Sequence, residues 1–344
     1  MGSPKVGKDC AYLEAIESNI LEQPAVKVWL KINPNYAPPS RVEHLRRWAS
    51  PKPFVCRMLG IETASHAVIA KRCKLTAGLQ EKRFYEEILP QLPMPSLKYY
   101  GSFQEGDEHL WLFLEDAGGR QFSFHKPEDR KIAVQWLINL HTHSARLGKP
   151  SRLIERGPAY YLERLTNVQS TLELHADRDV FSAAERQVLA ASLDLLDSTA
   201  SIWESISALY ERLPQCVIHG DFKSKNIHLR SDQQQASIFV FDWEYAGWGT
   251  PGIDMWRLDE EEYLLAIRPY WPHVDISTVR EMQNLGSVFR SVDSYFWETR
   301  RLNHPIHATA KIKLNENLSL FNVQMADALQ TFSTQASVRR QAAG

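Results

Sequence analysis

The residues whose types and spacing could do chemistry lie between Cys216 and Asp254. There the chain reads CVIHGDFKSKNIHLR, a polar turn SDQQQ, and then ASIFVFDWEYAGWGTPGID. Two short apolar runs of β type, Val217-Ile218 and Ile238 to Phe241, each lead to an acid: Asp221 follows His219-Gly220, and Asp242 follows Phe241 directly. Asn226 stands five residues past the first acid and opens into a further short run, Ile227-His228-Leu229. An acid, an amide and a second acid on the rims of adjacent strands suit phosphoryl transfer. One carboxylate can orient and deprotonate an attacking hydroxyl, while the amide and the other carboxylate offer oxygen to Mg²⁺, as that hard cation requires. Either acid taken alone reads equally well as a turn residue that caps neighbouring backbone groups.

Taken together they match H-x-D-x-x-x-x-N followed by a strand ending in Asp, the spacing of a kinase catalytic loop and its metal-binding acid. HGDFKSKN with FDWEYAGWGTPGIDMWRL resembles the aminoglycoside phosphotransferase and choline kinase family, small-molecule kinases that share the protein-kinase fold. The resemblance implies Asp221 as catalytic base, Asn226 and Asp242 as ligands of Mg²⁺ (two ions), and His219 as a brace of the loop. It also implies that Asp254, twelve residues past Asp242, ties the loop down by hydrogen bonds. Lys223, two residues past the base, is expected at the γ-phosphate, where negative charge must be neutralised. Lys225 is expected to face solvent or the acceptor.

The elements that must position these groups read as an α+β, bilobal protein-kinase-like fold: an N-terminal five-stranded antiparallel sheet with a helix, and a larger, mainly helical C-terminal lobe. The expected divisions are an N-terminal extension at 1–40, a nucleotide-binding lobe at 41–116, a catalytic and acceptor-binding lobe at 117–332, and a flexible tail at 333–344. Within the extension, residues 11–22 have helical spacing and Val26 to Leu30 is strand-like. Three strand-like runs follow, Val42 to Trp48, Phe54 to Ile61 and His66 to Cys73. The turn Ala49-Ser-Pro-Lys-Pro53 falls where related kinases cover the nucleotide phosphates; it has no glycine, which leaves Ser50 and Lys52 as phosphate contacts. In the third run Lys71 shares a face with Ile69, and the kinase arrangement pairs it with Glu81, three residues before Phe84. Lys74 with Glu86 or Glu87 is the competing pair. The runs Leu97 to Phe103 and His109 to Leu114 complete the sheet. LFLEDAGG resembles the family's hinge, with the Glu115 carbonyl and the Ala117 amide as adenine contacts. Pro127 to Leu147 is a long helix, and its His141 and His143, two apart, point to different faces and read as structural. Gly157 to Leu174 and Ser182 to Leu213 are further helical stretches.

For the acceptor, Glu244 and the run Asp259 to Glu262 could receive a cation, whereas Trp243, Tyr245 and Trp248 could cage a quaternary ammonium. The plainer readings are a solvated helix face and ordinary core. The function that follows is ATP- and Mg²⁺-dependent transfer of the γ-phosphate to a hydroxyl of a small molecule, an aminoglycoside-like or other cationic acceptor. A choline, amino-alcohol or sugar kinase of the same fold is one alternative, and a catalytically silent nucleotide-binding pseudokinase is another. GTP stays open beside ATP, because hinge backbone contacts admit either purine. A protein kinase fits poorly, since DWE stands where DFG would and no A-P-E segment follows. A formal net charge of −1 argues against a nucleic-acid partner. Four scattered cysteines suit neither a disulfide framework nor a zinc site, and no run approaches the ~18 apolar residues of a membrane span. The setting expected is cytoplasmic, with oligomeric state left open.

Overall fold

The computed structural model describes residues 14–46, 54–63, 65–231, 236–304 and 308–343. The turn carrying Ser50 and Lys52 lies outside these residues, as do positions 11–13 of the expected first helix. The chain divides into two compact units, Met1–Asn139 with His219–Ala246, and Leu140–Ile218 with Gly247–Gly344.

The first unit opens differently from the sequence reading. Glu14–Ile16 is a strand, β1, followed by a single 3-10 turn at Ile20–Glu22, and the strand-like Val26 to Leu30 lies inside a helix, α1 (Pro24–Ile32). Pro24 supplies the first helical position, and Ala25, Val26 and Trp29 are buried at helical spacing while Lys27 and Lys31 share the outer face. The alternation of Val26, Lys27 and Val28 imitates a strand, but burial at i and i+3 decides the period. Then come β2 (Arg41–Arg46), β3 (Phe54–Leu59), β4 (Ala67–Lys74), α2 (Leu75–Arg83), β5 (Tyr99–Glu105) and β6 (His109–Glu115). The sheet therefore has six strands, in the order β1-β2-β3-β4-β6-β5, all antiparallel, because β1 adds itself to β2 with Ile16 opposite Val42.

Period-two alternation sorts the residues of this sheet onto two faces. Cys56 and Met58 on β3, Val68 and Ala70 on β4, and Trp111 and Phe113 on β6 form one buried cluster with α1. Trp29 of α1 meets Phe113 at a ring distance of 5.5 Å and Tyr100 edge-on at 5.7 Å. Val55, Arg57, Ile69, Lys71 and Leu114 are left on the opposite face, where they line a cleft.

Beyond β6 the chain forms β7 (Arg120–Gln121) and α3 (Pro127–Leu147), inside which the division between units falls. The second unit begins with β8 (Glu155–Arg156), α4 (Pro158–His175), α5 (Ala183–Ser201), α6 (Trp203–Arg212) and β9 (Cys216–Ile218). The expected stretch Ser182 to Leu213 is thus two helices, broken at Ile202. Ser182 starts α5 with a reciprocal capping box to Glu185. The chain returns to the first unit with β10 (Ile227–Ser231) and β11 (Ala236–Val240), which build a small sheet in the order β11-β10-β7. It re-enters the second unit with β12 (Gly247–Gly249), α7 (Glu260–Ile267), α8 (Ile276–Thr299) and α9 (Ala308–Ala343). The tail expected to be frayed is therefore helical to Ala343. Buried α8 is the axis of this unit, with Phe289 stacked on Tyr161 at 4.2 Å. No helix among the described residues is long and apolar enough to cross a membrane.

Candidate active site

The cleft of the first unit encloses about 270 Å³, walled by Val55, Ile69 and Leu114 and floored by Lys71, Asn226 and Asp242. Lys71 projects from β4 and is only 6% exposed. Its Nζ lies 2.6 Å from Glu81 Oε2 on α2 and 2.5 Å from Asp242 Oδ1. The competing partners do not meet Lys74; Glu86 pairs instead with Lys82 at 3.8 Å. Burial works against the Lys71 ammonium, but Glu81, Asp242 and Glu244 outweigh it and hold its pKa well above the ordinary lysine range. Burial pushes the Glu81 carboxyl up, with Lys71 opposing. Its second oxygen, Oε1, is buried without a hydrogen-bond partner among the described residues.

The loop after β9 turns at Gly220, whose φ of 77° lies in the left-handed region glycine tolerates. His219 is fully buried; its Nδ1 accepts from the Asp221 amide at 3.2 Å, so Nε2 carries the proton and donates to the Phe241 carbonyl at 3.1 Å. One ring thereby joins the backbone at Asp221 to the residue preceding Asp242. Asn226 donates its side-chain amide to both the carbonyl and Oδ2 of Asp221, each at 3.0 Å. The β10–β11 hairpin brings Phe241 N to the Asn226 carbonyl at 3.1 Å, which sets the amide and the second acid side by side. Asp242 itself adopts φ 73°, a conformation that aspartate reaches more readily than most residues.

Asp221 Oδ1 is 2.6 Å from Lys223 Nζ, and its Oδ2 is 2.8 Å from Lys225 Nζ. Burial alone would raise the Asp221 carboxyl. The charges and hydrogen bonds of the two lysines outweigh it and hold the group below the ordinary aspartate range. Of the pair, Lys225 lines the cleft. Glu244 is half-buried close by, its carboxyl raised by burial against the pull of Lys71, with Asp242 adding to the rise.

The donor set suits Mg²⁺. The Asn226 side-chain oxygen accepts no hydrogen bond among the described residues, and it lines the cleft beside the Asp242 carboxylate. Among the described residues no three His, Cys, Asp or Glu side chains form a metal cage. Mg²⁺ characteristically needs none, binding through one or two carboxylates plus water and substrate phosphate oxygens.

Behind the cleft the chain after β6 is held by side chains that sequence reasoning missed. Arg230 donates to the carbonyls of Asp116 and Ala117 and to Glu115 Oε1 at 2.7 Å, while Arg57 Nε meets Asp116 Oδ2 at 2.8 Å. Nothing local in the sequence marks either arginine, since Arg230 finds its partners more than a hundred residues upstream.

Several expected site residues belong to the second unit. Asp254 is buried there with Oδ2 3.6 Å from His141 Nε2, and His141 Nδ1 lies 2.9 Å from Tyr263 OH. Asp259 caps α7, accepting from the amides of Glu261 and Glu262 at 3.0 and 2.9 Å, so the acid run is the first turn of a helix. Trp248 is largely buried on β12, with Nε1 3.3 Å from Gln215 Oε1. In the first unit Trp243 stacks on Phe84 at 5.0 Å and serves as core.

The sequence profile described as "Phosphotransferase enzyme family" (APH) matches residues 61–261, more than half of the chain, and the chain belongs to that family. The resemblance read from HGDFKSKN and FDWEYAGWGTPGID is borne out. A comparison with curated protein sequences finds no significant match. Among solved structures, the GDP and kanamycin complex of an APH(2") enzyme is 14% identical, with a TM-score of 0.59 over 88% of this chain and 98% of that one. Choline kinase from Cryptosporidium parvum Iowa II is 13% identical, with a TM-score of 0.56 over 91% and 94% of the two chains. A microcompartment-associated aminopropanol kinase is 13% identical, with a TM-score of 0.51 over 84% and 92%. These likenesses establish the kinase-like α+β fold.

Proposed function

We propose that the chain transfers the γ-phosphate of ATP, with Mg²⁺ (two ions), to a hydroxyl of a small molecule. The observation that carries this reading is the convergence on one cleft of Lys71, Asn226 and Asp242, with Asp221 held against Asn226 at 3.0 Å. Lys71, buttressed by Glu81, binds phosphate oxygens. Asn226 and Asp242 hold the metal, which when bound supplies charge neutralisation at the phosphoryl group. Asp221 accepts a hydrogen bond from the acceptor hydroxyl and aims its oxygen at the γ-phosphorus. As the new O–P bond forms and the bond to the bridging oxygen breaks, the hydroxyl proton passes to Asp221. A carboxylate whose pKa is lowered is a weak base, so its larger contribution is orientation. Lys223, already paired with Asp221, turns to the γ-phosphate when nucleotide is present.

For the acceptor, Glu244, a half-buried acid close to Lys71 and Asp242, is our candidate for receiving a cationic group, and on it we favour an aminoglycoside-like or amino-alcohol substrate over a neutral sugar. A cytoplasmic setting belongs to the same reading and is supported by Cys56, Cys73 and Cys216 being free thiols. The test is nucleotide turnover with Mg²⁺ across aminoglycosides, choline, ethanolamine, hexoses and homoserine, with Asp221→Asn as the control. Acceptor-stimulated turnover lost in the variant supports the assignment; an unchanged rate removes Asp221 as the base.

A further inference from the structure

Charge is shared out unevenly around the cleft of the first unit. Among the described residues, the lysine and arginine side chains that line it are Arg57, Lys71 and Lys225. Lys71 is answered by two carboxylates, Glu81 at 2.6 Å and Asp242 at 2.5 Å, and Arg57 by Asp116 at 2.8 Å and Glu43 at 3.5 Å. At Asp221 the proportion is reversed: one carboxylate meets two ammonium groups, Lys223 on Oδ1 at 2.6 Å and Lys225 on Oδ2 at 2.8 Å. Glu244 lies within the field of Lys225, but Lys71 acts on that carboxyl more strongly, and among the described residues no ion pair joins Lys225 to it. One positive charge beside Asp221 is therefore left without an acid of its own.

Lys225 is where that surplus reaches the cleft. Like Asn226, it both lines the cleft and touches Asp221, whereas Lys223 is not part of the lining. Its backbone is fixed in the 3-10 turn Ser224–Asn226, which the Asn226 amide closes on the Lys223 carbonyl at 2.8 Å. The side chain is more than half exposed and anchored at Asp221. A lysine ammonium has three donors; one is spent on Asp221 Oδ2, and two remain for a further acceptor.

The neighbours of Lys225 select the anion. In the phosphotransfer proposed above, the polyphosphate lies along Lys71, Asn226 and Asp242, and the acceptor hydroxyl lies on Asp221. A cation joined to Asp221 and lining the same cleft stands where the phosphoryl group passes from one to the other, so the terminal phosphate is the one within its reach.

We propose that Lys225 is a catalytic residue that binds the terminal phosphate of the nucleotide while it stays on Asp221, bridging the transferred group and the base. This rests on the phosphotransfer reading and adds to Lys223 a second cation, on the nucleotide side. As the acceptor oxygen bonds to the γ-phosphorus and the bond to the bridging oxygen breaks, the hydroxyl proton goes to Asp221. Lys225 keeps its own protons and neutralises the oxygens of the group in flight.

The test is calorimetric binding of two magnesium nucleotides, ADP and the β,γ-imido analogue of ATP, which differ by the terminal phosphate. It uses the full-length protein, Lys225→Met and Lys225→Arg. Because the ratio of two dissociation constants in one preparation is independent of the fraction folded, a poorly folding variant still reports. Lys225→Met is expected to weaken the analogue at least ~10-fold with ADP within about 2-fold of wild type, and Lys225→Arg to restore most of the loss. Removing the ammonium also leaves the Asp221 charge less compensated, and an Asp221→Asn background separates the two effects: there the selective loss is expected to persist at ~5-fold or more. An unchanged ratio, a loss shared equally by ADP and the analogue, or a loss that vanishes in the Asp221→Asn background overturns the inference and leaves the phosphotransferase reading standing. Binding of neither nucleotide by the wild-type protein overturns the reading and the inference together.

Discussion

In the role proposed for it Asp221 carries opposite demands, ionised enough to receive a hydroxyl and basic enough to take its proton, and its two lysines settle the balance toward ionisation. Because its folded pKa lies below that of the unfolded chain, its stabilising contribution is present above the unfolded value of ~3.9 and is lost as pH falls through the folded one. The acid limb of kcat/KM is therefore expected to owe nothing to Asp221 above about pH 4. Lys223→Met removes one opposing charge and should move that limb upward; a pH–rate profile superimposable on wild type would remove the lysine as the cause. Lys71 makes a different prediction. Lys71→Met leaves Glu81 buried without its cation and should cost about 3–5 kcal/mol in urea unfolding, much of it regained in Lys71→Met/Glu81→Gln. Full additivity of the two substitutions would show that the pair is not coupled. These residues were legible in the sequence because their chemistry is bound to fixed spacing: HGDFKSKN delivers Asp221 and Asn226 within one turn, and Lys71 sits ten residues from Glu81. Arg230 was not, since an arginine on a strand looks the same whether it meets water or three groups of a distant segment.

At the scale of elements, long periodic segments read well and short ones did not. α3 runs between the expected limits, Pro127 and Leu147, because twenty-one residues give the helical period room to declare itself. At the N terminus the periodic pattern was a few residues long, and tertiary pairing reversed it: β1 found an edge on β2, and α1 found Phe113 to cover. The third element-scale feature lay beyond sequence reading altogether. The 3-10 turn Pro251–Ile253 crosses α8 so closely that a Cβ on Gly286 would lie 2.1 Å from Gly252 backbone, and one on Gly252 would lie 1.6 Å from the Met282 carbonyl. Arg290 Nη1 clamps the same turn through the carbonyls of Gly252 at 2.5 Å and Ile253 at 2.9 Å. Gly286→Ala has only backbone to push against, so it should destabilise by about 2–3 kcal/mol in urea unfolding. A midpoint within error of wild type would mean that the crossing is looser than described.

At the scale of the whole molecule, the first unit is discontinuous in sequence. Its sheet is complete by Glu115, yet β7 waits for β10, Gln80 for the Ala246 carbonyl at 2.9 Å, and Phe84 for Trp243. A fragment ending at Asn139 should therefore unfold without cooperativity in urea, whereas the same fragment joined through a flexible linker to residues 219–246 should regain a sigmoidal transition. A cooperative transition in the shorter fragment would mean that the returning segment adds chemistry but no structure. The discontinuity also imposes a schedule on synthesis. Between the last residue of the first passage and the first of the second, the ribosome must make the roughly 80 residues from Leu140 to Ile218, which at ~5–20 residues per second takes about 4–16 s. Throughout that interval Gln80 on α2 and Phe84 in the turn after it are uncovered, so folding of this unit depends on a wait that translation speed governs and chaperones can shelter.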